Sequence, residues 1–217
     1  MTDNSFKVKG LGLGLFIVWF IALIMAFFYS TTVIGDYRNE FSDKDVIQLE
    51  QVTGDTLTIE VMEDDIYFMD RSHSFHDELD YIKVTDDRIY IGNPELDVEM
   101  SSTDQFQLII YKEARGRNRE LARENFQKLE YEYMELGNLI SFSPYFSIPR
   151  ENGYHFEELR MTLLVPEGKA IYFQDGSERV IYDVDNVTNT YDLDMIDKVW
   201  TMTEDGLECI GCDPDEI

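Results

Sequence analysis

Residues 11–29, LGLGLFIVWFIALIMAFFY, are nineteen consecutive uncharged positions, and no other feature of the 217-residue chain limits its fold as strongly. From Gly10 to Gly35 the only ionisable side chain is Tyr29. Nineteen helical residues reach about 28 Å, close to the roughly 30 Å of a bilayer's hydrocarbon. A segment in lipid must satisfy its own backbone polar groups, so the run is expected to be a helix. A core helix of a soluble domain would carry a polar face, and this one has none. A cleaved signal peptide has a shorter apolar region followed by small residues. Here the flank reads AFFYSTT, and both cysteines lie far away at 209 and 212, which removes a lipoprotein anchor. The segment reads as an uncleaved signal anchor over residues 11–34, with Tyr29 near its outer boundary. Lys7 and Lys9 precede it, whereas Asp36, Arg38 and Glu40 follow. The positive-inside rule therefore puts residues 1–10 in the cytoplasm and the C-terminal part across the membrane.

Beyond the anchor the chain is strongly acidic. The whole sequence has 44 acidic and 18 basic residues, and residues 36–217 hold 43 and 16 of them, a net charge of −27. Binding to a phosphate backbone needs cations that displace counterions, so nucleic acid is excluded as a partner. The same mean field repels anionic lipid headgroups, so the expected contact with the bilayer is made through residues 11–34. The carboxylates read as a solvated face that keeps copies apart.

The rest reads as an all-β body with one short helical insert. In DTLTIEV, Leu57, Ile59 and Val61 share a face. The alternation continues through Ile89 and Ile91, then Leu96, Val98 and Met100, then Phe106, Leu108 and Ile110. It breaks at Gly116, where RNRELARENFQ predicts a helix over about 117–127 with Leu121, Ala122 and Phe126 on one face. Further strands are expected in LEYEYM, LISF, LRMTLLV, AIYFQD, RVIYDVD and VWTMT, with a Pro-bounded loop after LISF and a turn at Pro166–Gly168. Turn-punctuated short strands fit a sandwich or a β-solenoid, and periodicity does not choose between them. The expected organisation is a juxtamembrane linker at 35–54, a β domain at 55–203 and an acidic tail at 204–217 carrying the C-x-x-C.

Three stretches carry a resemblance. VPEGKAIYFQDGSERVIYDVDNV, DMIDKVWTMTEDGLECIGC and GRNRELARENFQKLEYEYMELGNLISFSPYF resemble the C-terminal extracytoplasmic region of PspC-domain (phage shock protein C-like) membrane proteins of Bacteroidetes-type bacteria. The small PspC domain with its own membrane hairpin is expected to be missing ahead of Leu11. The resemblance implies β-solenoid-like sheets, the bacterial inner (cytoplasmic) membrane, a periplasmic body, and a setting of envelope stress or membrane regulation.

No chemical site is expected. Cys209 and Cys212 supply half of a zinc set, and completing it from His73 and His76, or His155, would bring distant segments together for no reason visible in the sequence. A redox pair would open a helix in a βαβ unit. What remains is a local disulfide or two free thiols in an oxidising compartment. Asp183, Asp185 and Asn186 lack the glycine and final Glu of a calcium loop. Asn186-Val187-Thr188 is a sequon by pattern only. Tyr131, Tyr133, Tyr145 and Phe146 read as core aromatics before a binding strip. The expectation is thus a protein without catalytic residues, metal or cofactor, acting through a membrane or envelope protein partner as a sensor or interaction module. The alternative is an adhesin-like, polymer-binding surface domain.

Overall fold

The computed structural model describes residues 11–63, 82–92 and 94–212. The apolar run forms α1 (Leu11–Asp36), whose side chains from Gly12 to Ser30 are covered by no other part of the protein. A helix that is apolar on every face and uncovered by protein finds a compatible solvent only in lipid, and this one is long enough to cross it.

Twelve strands follow among the described residues: β1 (Asn39–Gln48), β2 (Thr56–Val61), β3 (Ile82–Val84), β4 (Arg88–Gly92), β5 (Glu95–Met100), β6 (Gln107–Gly116), β7 (Glu130–Leu136), β8 (Leu139–Pro149), β9 (Glu158–Val165), β10 (Ala170–Phe173), β11 (Val199–Thr203) and β12 (Gly206–Cys209). One sheet has the order β1-β6-β9-β5. The other runs β12-β11-β10-β2-β8-β4-β3, with β7 on the second edge of β8. Both contribute to a single core, in which Leu57, Ile59, Leu108, Phe142, Leu163, Phe173 and Trp200 have no exposed surface. Three pairs are parallel, β2–β8, β2–β10 and β5–β9. Parallel strands in one sheet need a crossover, and from β8 to β10, which flank β2, the chain makes it by passing through β9 in the facing sheet. The architecture therefore joins both sequence-based alternatives: two facing sheets, wound in part like a solenoid.

The alternating segments lie as their pattern requires, apart from Met100, which is 49% exposed at the end of β5. Four stretches differ from the sequence reading. Residues 39–48, expected within a linker, form β1, whose every residue pairs with β6 from Asn39↔Gly116 to Gln48↔Gln107. Gly206–Cys209, expected in a tail, is β12, paired with β11. RVIYDVD contributes a single bridge, Leu96↔Ile181, and the chain then turns at Asp183 (φ 51°), where Asp192 accepts the amides of Asp183 and Val184. β8, for its part, runs on through Pro144. At 143–144 it has no ladder partner among the described residues, because β2 pairs with it up to Phe142, the pairing with β4 starts at Tyr145, and β7 shifts register between Tyr131 and Tyr133. A residue without an N–H is tolerated in such a gap.

The insert is α2 (Arg119–Lys128), two residues later in onset than expected because Asn118 is the N-cap, its Oδ1 accepting the Leu121 amide at 2.8 Å. It packs on β1 and β6 through buried Ala122 and through Phe126, whose ring meets Phe41 edge-on at 5.0 Å, while Leu121 stays 40% exposed. The approach requires Gly116, where a Cβ would lie 2.5 Å from the Ala122 nitrogen. Backbone on both sides leaves little to relax, so Gly116→Ala is expected to destabilise the full chain by about 1–3 kcal/mol. Denaturant unfolding in detergent, followed by Trp200 fluorescence, would measure it. An unchanged midpoint would mean the helix can shift freely.

Candidate functional site

The C-terminal motif serves the fold. Trp200 is fully buried on β11 and its Nε1–H donates to the Met195 carbonyl at 3.0 Å. Gly168 (φ 76°) closes the turn after Pro166, and its amide reaches the Met202 carbonyl. Asn186 is held inside its own loop. Its Nδ2 donates to the carbonyls of Val184 and Thr190, and its Oδ1 accepts the Thr190 amide and the Thr188 hydroxyl. Cys209, on β12 against the core, is joined to Cys212 as a disulfide, with Cα atoms 5.8 Å apart. The bond closes a very short loop, and the chain-entropy relation limits its effect to about 2 kcal/mol. Reduction is therefore expected to lower stability by no more than that and to leave Trp200 buried. Loss of the native Trp200 emission on reduction would overturn this.

The other sequence candidates are not assembled into a centre. His73 and His76 lie outside the described residues. His155 lies near α2 and the membrane-proximal strand ends, and no group of three His, Cys, Asp or Glu residues suited to a metal occurs among the described residues. Asp97 sits near Glu99, Asp185 and Asp183, and burial, ahead of these neighbouring carboxylates, raises its carboxyl above the ordinary value. Of the four aromatics, Phe146 is buried and Tyr131 and Tyr133 pack against the core. Desolvation raises the Tyr131 hydroxyl, which donates to the Ser143 carbonyl at 3.1 Å.

Two surfaces stand out that the sequence motifs did not mark. The loop at 182–193 presents Tyr182, Tyr191 and Leu193, the last two 82% and 72% exposed. The second surface is an open cleft of about 320 Å³ beside α2, lined among others by Arg117, Lys128, Asn152 and His155. Lys128 is held there by Glu124 at 2.9 Å and by Asn152 Oδ1 at 3.1 Å. Next to His155, Glu157 is buried, and its carboxylate accepts the His155 amide at 2.7 Å with His155 Nδ1 at 3.8 Å. The His155 ring in turn lies 5.7 Å from that of Tyr37, the residue directly after α1. Phe156 (φ 55°) meets Tyr37 edge-on at 5.1 Å and is 50% exposed. A local count of charge would have found the basic side of this region, since residues 112–128 hold six basic and three acidic groups in a chain of the opposite sign.

Burial lifts the Glu157 carboxyl above its ordinary 4.5, while its hydrogen bond from the His155 amide pulls the other way. The folded chain then keeps a proton that the unfolded chain releases. The contribution of this group is fully present below the unfolded value and is lost as pH rises through the elevated folded one. Glu157→Gln is expected to flatten that part of the stability profile, from the ordinary carboxyl value of 4.5 upward, measured as melting temperature against pH. Parallel profiles for the two proteins would remove Glu157 as the cause.

Residues 83–216 match the toast-rack domain found in the C-terminal part of some PspC proteins. No curated protein matches the chain. Among solved structures, a Clostridium sporogenes ATCC 15579 protein named for cell adhesion is similar at 7% identity and a TM-score of 0.27, over 63% of this chain and 46% of that one. The chain spans less than half the length of that protein, and a likeness this slight says nothing about activity. The family match takes in the strands from β4 to β12, α2 and the disulfide, well over half of the chain, and α1 adds a helix able to cross a bilayer. The chain is thus a membrane-anchored protein that belongs to the family of PspC-type toast-rack domains.

Proposed function

We propose that this protein is a non-enzymatic sensor or interaction module of the bacterial envelope, working with a membrane or envelope protein in PspC-type stress and membrane regulation. In this reading α1 lies in the cytoplasmic membrane, with the N-terminus in the cytoplasm and the β body on the outer side. The observation that carries the proposal is the join between helix and body. Only Tyr37 and Arg38 separate Asp36, the end of α1, from Asn39, the start of β1, and β1 is held along its whole length by β6. A flexible linker would absorb a binding event at the body. A continuous path of packed, hydrogen-bonded elements passes it to the membrane helix.

The loop at 182–193 supports the interaction half of the reading. Tyr191 and Leu193 are large apolar side chains left in solvent, of the kind that anchor protein interfaces. Asp192, between them, spends its carboxylate on the amides of Asp183 and Val184, so the loop presents them from a fixed backbone.

A photo-crosslinker at position 191 of the full chain, in intact cells, tests the proposal. The expected product is one membrane or envelope protein, with yield reduced at least tenfold by Leu193→Ala and unchanged by Cys212→Ser. Crosslinks to cell-wall polymer alone would favour the adhesin-like alternative. Protease added to spheroplasts is expected to digest the body, and a body that survives would reverse the orientation.

A further inference from the structure

The mean charge of the body repels an anionic membrane, but the end of the body beside the membrane helix has a different composition. Of the sixteen basic residues in 36–217, six fall within 112–128, at the end of β6 and along α2. The fold brings this segment to the membrane. Gly116 is the register partner of Asn39, three residues past the end of α1, and the Asn39 side chain donates to the Arg117 carbonyl at 2.7 Å. On α2, the Arg123 guanidinium lies 5.8 Å from the centre of the Phe41 ring, near the start of β1. Arg117, Arg119 and Arg123 are all exposed. Of the three acids in the segment, Glu113 is buried against Arg115 and Glu124 is held by Lys128, which leaves Glu120.

We propose that this end of the body, with Arg117 just ahead of α2, Arg119 and Arg123 on it, and Phe156 against Tyr37, seats on the anionic lipid headgroups of the bilayer that α1 crosses. Two magnitudes decide against the repulsive average. The 26 residues of α1 reach about 39 Å, close to the 40–45 Å of a bilayer with its headgroups, so the chain leaves the helix at headgroup level. Screening at physiological salt extends about 8 Å, whereas the ten residues of β6, which leads from this end to the other, span about 33 Å. Carboxylates at the far end of the body are therefore invisible to the lipid, and at the near end Arg38, Arg117, Arg119 and Arg123 outnumber Asp36, Glu40 and Glu120. Phe156 adds the apolar part. It takes a left-handed backbone conformation that a non-glycine residue rarely adopts, and its ring is half exposed beside Tyr37, where aromatic side chains favour the interface.

The test uses the full chain in nanodiscs of phosphatidylcholine alone or with about a third phosphatidylglycerol, read by hydrogen exchange. Each surface cation contributes a factor of about five in affinity for an anionic surface. Exchange in 117–128 and 152–157 is thus expected to slow at least tenfold in the anionic discs, and the slowing should vanish at about 0.5 M salt. Arg119→Glu with Arg123→Glu should abolish it without changing the melting temperature, and Phe156→Ser should weaken it. Equal exchange in the two lipids, or a slowing that survives both charge reversal and salt, overturns the proposal. The wild-type lipid and salt arms decide the matter even where a variant folds badly.

Discussion

The ladder between β1 and β6 is the constraint on which the rest of the molecule depends. Ten consecutive residue pairs bind the first segment after the membrane helix to the middle of the sequence. Without them α1 would end in a free tether and α2 would lose half of its seat, since that helix packs on both strands. The ladder also fixes which end of the body meets the membrane. Asn39 opposite Gly116 puts the turn into α2 at the bilayer side, and Gln48 opposite Gln107 puts the β5–β6 connection at the far side.

This strand was also the least legible in the sequence. β1 reads NEFSDKDVIQ, and most of its side chains are exposed. Its place comes from backbone pairing with β6 and from one face of α2, neither of which leaves a period in the amino acids. By contrast β2, β6 and β9 each present one face to the core, and burial of alternate residues wrote Leu57 and Ile59, Leu108 and Ile110, and Met161, Leu163 and Val165 into the sequence. The apolar helix was legible for a related reason, because a lipid solvent acts on every residue of the segment without help from a partner.

RVIYDVD shows the reverse failure. Val180, Ile181 and Val184 are buried as a strand pattern suggests, yet only Ile181 bridges to β5. Burial alone does not require a ladder. Here Asp192 and Asn186 satisfy the backbone through their side chains, and the chain packs apolar residues inward from a turn-rich loop. The same chemistry explains why the C-terminal signature was readable as family and not as a site. Trp200, Gly168, Asn186 and Cys209 are each absorbed by a hydrogen bond, a turn, a covalent link or the core. The surface features at Tyr191, Leu193 and Phe156 had no such signature, because exposure of a single apolar residue is invisible until the fold decides what covers it.

The charge makes the same point about scale. A net −27 on residues 36–217 is a correct property of the body and a poor description of any one of its faces. Ions screen the field within about two helical turns, so a surface responds to the charges within that distance and not to the sum. Which charges those are is a matter of topology. β6 carries its basic end towards the membrane because it runs antiparallel to β1, which starts there. Had the two strands been parallel, the same residues would have lain at the other end of the ladder, away from α1.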